Sequence, residues 1–127
     1  MKITKNFRLE EFNCRDGTSV PSEFVPNVIE LCANLQILRD YLQVPIHINS
    51  GYRTEYHNHM VGGAEHSQHL LAKAADITCR DFTPAQVADT IELLIREGHM
   101  KNGGLGRYRG FTHYDVRNDM ARWGSNV

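Results

Sequence analysis

Apolar residues recur at intervals of three and four over residues 26–43, which is the pattern of one buried helical face. We therefore predict an amphipathic helix of about 16 residues there. Pro45 is expected to stop the chain from continuing as a helix, because proline lacks the backbone N–H that the helical ladder needs. The apolar positions of this face are Val28, Leu31, Cys32, Leu35, Leu38 and Leu42.

A second helix is predicted within residues 81–98, where end signals accompany the periodicity. Thr83 suits the N-cap, Pro84 suits the first helical position and Gly98 suits the terminator. The apolar face of this helix consists of Val87, Ala88, Ile91, Leu94 and Ile95.

Four segments have the patterns of β-strands, through alternation or through a short apolar run. The last two are expected to form an antiparallel pair, because Arg109 and Gly110 can turn the chain between them. The predicted strands are residues 45–50, 75–79, 103–108 and 111–117.

The remaining signals are short. A turn of helix is expected at residues 9–12, and a short helix at residues 54–60 that ends before Gly62 and Gly63. The tail, residues 118–127, is expected to be pinned to the core by Trp123. The predicted fold class is α+β, with two main helices packed on one face of a small, mostly antiparallel sheet and the other face left to carry a site.

Composition narrows the class of protein. The 127 residues are expected to form a single domain, with 41% hydrophobic and 23% charged residues and a net charge of −1. This balance gives no basic excess for nucleic acid or for an anionic membrane, so we expect neither partner. No apolar run is long enough to span a bilayer.

Cysteine usage and the N-terminus predict where the protein is made. Three cysteines, an odd number without CxxC spacing, indicate reduced thiols and folding in a reducing compartment. The first twelve residues contain no uninterrupted apolar segment of the kind that signal peptides have. We therefore expect synthesis in the cytoplasm, and a separate delivery route if the substrate lies outside it.

Histidine is the unusual component, with seven in the chain and five of them between His47 and His69. His69 precedes Asp76 by seven residues, and His113 lies on a predicted strand. Two imidazoles and one carboxylate suit a catalytic zinc whose fourth position is left to water. As a bare spacing this pattern is weak, because most single His and Asp residues are surface groups or satisfied polar groups.

Three ordered motifs strengthen the hypothesis: SGYRT at residues 50–54, SxHxxxxAxD at 67–76 and GGLGRYxGFTHYDVR at 103–117. Together they resemble the zinc D-Ala-D-Ala peptidases, and most closely the small, compact subfamily of peptidase M15. That group includes peptidoglycan D,D-carboxypeptidases, vancomycin-resistance D,D-dipeptidases and phage L-alanyl-D-glutamate endopeptidases. Its fold is shared with the Hedgehog signalling domain. The resemblance covers nearly the whole chain.

The resemblance implies that His69, Asp76 and His113 bind Zn²⁺. It also implies hydrolysis of amide bonds in peptidoglycan stem peptides that contain D-residues, by a D,D-carboxypeptidase or an endopeptidase acting as a monomer on the cell wall or in the periplasm. The compact size and the lack of a leader fit a phage lysis or virion enzyme.

The chain departs from the family pattern at two places. Ala72 replaces a usual glycine, which is tolerable if the backbone φ there is negative. Gly110 and Phe111 occupy the positions where larger members carry a carboxylate or histidine as general base.

Asp115 is the candidate base, because it shares a strand face with His113. It has two alternative roles, as an acceptor that orients a ligand imidazole or as the ion-pair partner of Arg117. Glu65 and His66 are the fallback candidates for the base.

Arg53 is implied by the resemblance to bind substrate and to stabilise the developing oxyanion. Its alternative is an ion pair with an acidic surface residue. Tyr52, Ser67 and Gln68 are expected to line the substrate groove together with Asn58, although Ser67 has the alternative of capping the turn that presents His69.

The other polar residues are interpreted more simply. His57 and His59 are expected to be solvated helix residues, and His47 is expected on an exposed strand face. Arg117 either binds a substrate carboxylate or forms a structural salt bridge. Two rival functions stay open: a zinc-binding module without turnover, motivated by the missing base at Gly110 and Phe111, and a structural virion or cell-wall-binding component in which the site docks wall peptides.

Overall fold

A computed structural model of the protein describes residues 1–125. The elements are β1 (Lys2–Thr4), β2 (Phe7–Arg8), α1 (Val25–Leu42), β3 (Ile46–Ser50), α2 (Glu55–Met60), β4 (Ala74–Cys79), α3 (Pro84–Arg96), β5 (Gly104–Arg107), β6 (Thr112–Asp115) and β7 (Ala121–Gly124). Three 3-10 turns accompany them, at Leu9–Phe12, Ser22–Phe24 and Gln68–Leu71.

The helix ends follow the local chemistry that the sequence predicts. The Thr83 side chain accepts a hydrogen bond from the backbone of Gln86, and the Gln86 side chain accepts one from the backbone of Thr83, which caps α3 reciprocally. α1 ends as Gln43 turns to a left-handed φ of 61°, two residues before Pro45. Both main helices are therefore confirmed, with α1 beginning one residue earlier than predicted.

The main sheet has five strands in the order β3-β4-β6-β5-β7. Its pairs are antiparallel except for the parallel pair of β5 and β7. The apolar faces of α1 and α3 share one core with the strand residues Ala75, Tyr114 and Leu105. The predicted α+β class and the antiparallel-dominant sheet are confirmed. No helix within residues 1–125 is both long enough and apolar enough to cross a membrane.

The chain's C-terminal segment is a strand rather than a simple tail. β7 adds to the sheet edge in parallel with β5, and Trp123 is half-buried beside Gly106 instead of lying in the core. Polar and apolar residues do not alternate clearly here, so periodicity gave no strand signal. Asn126 and Val127 lie outside the described residues.

The register of the sheet places one row of residues across all five strands. Because successive residues of a strand point to opposite faces, this row lies on the face away from the helical core. From β3 to β7 the row reads Ser50, Asp76, His113, Gly106 and Trp123. The polar site is therefore built on the face that the helices leave open.

Candidate metal centre

Three side chains converge on this open face. Asp76 and His113 are direct partners across β4 and β6, and His69 reaches them from the 3-10 turn that precedes β4. Asp76 Oδ1 lies 3.2 Å from His69 Nε2 and 3.1 Å from His113 Nδ1. One ligand atom from each residue lies within 4.8 Å of the other two, and all three residues are buried. The structure thus brings together the three predicted ligands.

The second nitrogen of each imidazole is bound to an oxygen. His69 Nδ1 lies 2.6 Å from the carbonyl oxygen of Gly51, and His113 Nε2 lies 2.7 Å from Asp115 Oδ2. An acceptor on the outer nitrogen fixes the tautomer and turns the other nitrogen towards the site. His69 Nε2 and His113 Nδ1 are therefore the nitrogens available to a metal.

This arrangement suits a shared cation. Each imidazole lies between two acceptors, and a neutral imidazole has one N–H to donate. The inner nitrogen facing Asp76 therefore needs a second proton or a metal ion. Burial lowers the pKa of His113, but hydrogen bonds to Asp115 and Asp76 outweigh it and raise that pKa above its ordinary value. Two imidazoles and a carboxylate, buried and converging, fit zinc.

Gly51 holds its carbonyl in place through a close backbone approach. Tyr52 donates its backbone N–H to the Phe12 carbonyl at 2.8 Å. A Cβ atom at Gly51 would lie 2.7 Å from Phe12 Cα, closer than real Cβ contacts allow. Glycine at this turn therefore lets the chain approach Phe12 and present the acceptor for His69.

Asp115 lies behind His113 and is completely buried, at 0% exposure. Its Oδ1 accepts from the backbone amide of Gly104 at 2.9 Å and from Arg117 Nε at 2.8 Å, and its Oδ2 accepts from Arg117 Nη2 at 2.7 Å. Burial raises the pKa of Asp115, but hydrogen bonds from His113 and Arg117 dominate and hold that pKa well below its usual range. Of its possible roles, these contacts favour orienting His113 and pairing with Arg117 over accepting a proton.

Arg53 lies on the other side of the ligand group. Its Nη2 donates to Asp76 Oδ2 at 3.0 Å, Nε to Ser50 Oγ at 3.0 Å and Nη1 to Asn58 Oδ1 at 3.2 Å. Burial raises the pKa of Asp76, yet its hydrogen bonds with His113 and His69 keep that pKa below its usual range, so the carboxylate stays charged. Arg53 thus pairs with a buried candidate ligand rather than with a surface acid, and its side chain lines the cleft.

A cleft of about 440 Å³ opens over the three candidate ligands. Of the residues expected to bind substrate, Ser67 and Gln68 line it, and Ser67 Oγ also accepts the His69 backbone N–H at 3.1 Å. Tyr52 does not line this cleft: its ring packs against Phe24, with centroids 6.0 Å apart. The contact with Phe24, which lies 28 positions earlier in the chain, explains the correction, because the local sequence gives no signal for it.

Asn58 does not line the cleft but holds Arg53, which does. It is buried, and its Nδ2 donates to the Ala64 carbonyl at 2.8 Å while its Oδ1 accepts from Arg53. A Cβ at Gly63 would lie 2.0 Å from Asn58 Oδ1, so the second glycine of the pair permits this contact. Asn58 therefore ties the loop over residues 61–66 to Arg53.

An aromatic wall was not predicted from the sequence. Tyr108 and Phe111 stack at 4.4 Å, and the Trp123 indole N–H donates to the Tyr108 hydroxyl at 2.7 Å. Arg117 forms a cation–π contact with the Trp123 ring, since its Cζ lies 5.2 Å from the ring centroid. The parallel pairing of β7 with β5 brings Trp123 to this wall. Alternation within a single strand does not predict which strands pair, so the sequence contains no signal for the wall.

The backbone at Ala72 does not meet the condition, a negative φ, under which alanine would replace the family's glycine without strain. Its φ is +57°, in the left-handed region, and its side chain is buried. An L-residue there costs roughly 1–2 kcal/mol relative to the right-handed region. The preceding 3-10 turn imposes the conformation, because Ala72 N–H closes it onto the His69 carbonyl at 3.2 Å.

Comparison with known families agrees with this geometry. The family model described as Peptidase M15 matches residues 5–115, a span that contains Arg53 and all three candidate ligands. The chain belongs to the peptidase M15 family. No curated protein matches the chain. Membership implies a metallopeptidase, and peptidase M15 enzymes are in general zinc-dependent. Trp123 lies beyond the matched span.

Proposed function

We propose that this peptidase M15 chain is a zinc-dependent hydrolase of amide bonds in bacterial cell-wall peptides that contain D-amino acids. The observation that carries the proposal is the convergence of His69, Asp76 and His113 in an open cleft, with the outer nitrogen of each imidazole already bound. When bound, zinc supplies a Lewis acid that polarises a carbonyl and lowers the pKa of water.

Arg53 is the proposed stabiliser of the developing oxyanion. Its guanidinium is held by Ser50, Asn58 and Asp76, so its position is set before substrate arrives. A preorganised cation contributes most where charge appears in the transition state, because no reorganisation is needed then. An Arg53→Lys change keeps the charge and loses this three-point hold.

His66 is the proposed proton acceptor. Besides the three candidate ligands, the ionisable groups among the described residues lining the cleft are His66, Tyr108 and the cations Arg53 and Arg117. Glu65, the other fallback candidate, borders a neighbouring depression instead. Histidine is the commonest general base, so His66 would take the proton of the attacking water and pass it to the leaving amine.

The proposed substrate is a peptidoglycan stem peptide, cleaved by D,D-carboxypeptidase or endopeptidase action. Two arginines offer partners for peptide carboxylates, and the aromatic wall of Tyr108, Phe111 and Trp123 offers apolar contact for alanyl methyl groups. Preference for D-residues rests on the family resemblance. A phage lysis or virion role fits the same chemistry.

A second candidate function is a wall-binding module without turnover. Gly110 and Phe111, at the positions where larger members carry a base, motivate it. In that case the cleft would bind stem peptides and cleave none.

The deciding experiment incubates zinc-loaded protein with defined stem tetrapeptides and pentapeptides, with and without a chelator, and follows products by mass spectrometry. We expect cleavage that the chelator stops and added zinc restores. We expect His66→Gln to lower kcat by about 10²- to 10⁴-fold at unchanged zinc affinity. His59→Gln, an exposed histidine outside the cleft, is the matched control. Peptide binding without cleavage, with zinc held by the His69 site, would establish the second candidate function instead.

A further inference from the structure

A second group of ligand-type side chains lies on the other side of the Arg53 segment. Cys14, Asp16 and His57 each offer one donor atom, a sulfur, a carboxylate oxygen and a ring nitrogen, and these lie within 4.8 Å of one another. His57 is half-buried here and is not the freely solvated helix residue that the sequence predicted. Nothing in the proposed peptidase chemistry uses these three residues.

The loop that carries Cys14 and Asp16 is fixed by its own hydrogen bonds. Cys14 N–H donates to the Thr18 carbonyl, and Gly17 N–H donates to the Cys14 carbonyl, both at 2.9 Å. Gly17 has a φ of +99°, a conformation that favours glycine. Arg15 also holds the loop to β3, since its Nη2 donates to the Ile48 carbonyl at 2.6 Å.

The carboxylate of the group is positioned from both sides. Asp16 Oδ1 accepts the Thr18 backbone N–H at 2.9 Å, and Oδ2 accepts the Thr54 hydroxyl at 3.0 Å. Thr54 in turn caps α2 by accepting the backbone N–H of His57 at 3.1 Å. The loop and the first turn of α2 are thus joined where the three donors meet.

The donor set selects a class of ion. Thiolate and imidazole prefer zinc and similar divalent transition ions over magnesium or calcium, which prefer oxygen ligands. Cys14 is 3% exposed, whereas Asp16 faces solvent, so water can complete a tetrahedral shell from the open side. We propose that Cys14, Asp16 and His57 form a second zinc site.

The location of the group assigns it a role. The segment from Gly51 to Thr54 joins the two sites: Gly51 orients His69, Arg53 contacts Asp76, and Thr54 contacts Asp16. An ion that ties the loop to α2 therefore restrains the segment that shapes the peptidase site. Without an ion, the same residues make a turn cap and a buried thiol, and this simpler arrangement predicts no metal affinity.

Cobalt titration of the metal-free full chain distinguishes a second metal site from a turn cap with a buried thiol. A thiolate ligand gives Co²⁺ a charge-transfer band, and the His69 site contains no sulfur that could produce one. We expect two Co²⁺ ions per chain and a thiolate-to-cobalt charge-transfer band in the near ultraviolet. Cys14→Ser should abolish the band and leave one ion per chain. A His69→Ala, His113→Ala double variant should keep the band, which makes the result independent of the peptidase proposal.

His57→Ala provides a test that does not alter the buried core. It should weaken the cobalt affinity measured by the charge-transfer band more than about tenfold, with His59→Ala on the same helix as the unaffected control. Circular dichroism establishes that each variant is folded. A chain that saturates at one ion without the band, or a band that persists in Cys14→Ser, would overturn the proposal.

Discussion

Replacing Asp115 with asparagine separates its two conceivable roles, proton acceptor and holder of His113. Asparagine keeps the shape of aspartate but offers one acceptor oxygen and one NH₂ group. Three donors converge on Oδ1, the backbone amides of Gly104 and Arg117 and Arg117 Nε, whereas Oδ2 receives Arg117 Nη2 and His113 Nε2. The amide oxygen should therefore take the Oδ1 position, and the NH₂ group should face His113.

The consequence for His113 is a reversed tautomer. An NH₂ group opposite Nε2 requires that nitrogen to accept, which moves the imidazole proton to Nδ1, the atom that faces Asp76. Loss of an orienting carboxylate of this kind typically costs 10- to 100-fold in metal affinity, or about 1.4–2.7 kcal/mol. Breaking the ion pair with Arg117 should also lower the free energy of unfolding by about 2–3 kcal/mol, less than for a fully buried pair because the Arg117 side chain is 29% exposed.

The assay combines zinc competition against a chromophoric chelator with steady-state kinetics on a stem peptide. Asp119→Asn, an exposed aspartate four residues further on, is the matched control and should change neither quantity. We expect Asp115→Asn to weaken zinc binding and to recover much of its activity when zinc is raised to saturation. Unchanged zinc affinity with kcat lowered a hundredfold or more would refute the reasoning and make Asp115 the general base.

Three further predictions concern metal, packing and backbone conformation. Binding at the His69 site, with free zinc at about 100 times the Kd of that site, should stabilise the metal-free protein by about 2.7 kcal/mol in thermal unfolding, and His113→Ala should remove most of this contribution. Gly106→Ala should destabilise by about 1–3 kcal/mol in urea unfolding, because its Cβ would lie 2.6 Å from the Trp123 ring, whereas a Cβ at Gly110 meets nothing within 4 Å and Gly110→Ala should be neutral. Ala72→Gly should change the unfolding free energy by less than about 1 kcal/mol, because relief of the left-handed backbone is offset by the lost methyl group and a more flexible unfolded chain. A larger gain or loss at residue 72 would contradict that balance.

The helices could be predicted from the sequence because their signals are local, whereas the candidate ligands were predicted from the family resemblance. Capping by Thr83 and Gln86 involves residues three apart, and the apolar face of α1 recurs within single turns. The apolar run at residues 75–79 and the alternation at residues 111–117 placed Asp76 and His113 on strands, and the resemblance supplied the ligand set that spacing alone could not. The helix caps and the apolar helix faces involve residues only a few positions apart, so the sequence alone predicts them.

The surroundings of the ligands could not be predicted because they depend on pairs distant in the chain. Trp123 reaches the cleft only because β7 joins β5 in parallel, and His57 meets Cys14 only because Tyr52 pairs with Phe12. Sequence patterns made Asp115 the candidate base and left two other roles open, because the contacts that favour those roles include the amide of Gly104, eleven positions earlier in the chain. A glycine there admits the carboxylate, since a Cβ would lie 2.3 Å from Asp115 Oδ2.

The same distinction explains why the chain can lack a base at Gly110 and Phe111 and still be a candidate enzyme. The groups that orient the two imidazoles lie on β5, β6 and the turn at Gly51: the Gly51 carbonyl contacts His69, Asp115 contacts His113, and the Gly104 amide donates to Asp115. The proton acceptor needs only to reach the cleft, and the loop over residues 61–66 can supply one in His66. If His66→Gln were silent and Asp115→Asn affected zinc alone, no ionisable side chain of the described cleft would remain for the base except Tyr108. The wall-binding function would then account for the site better than catalysis does.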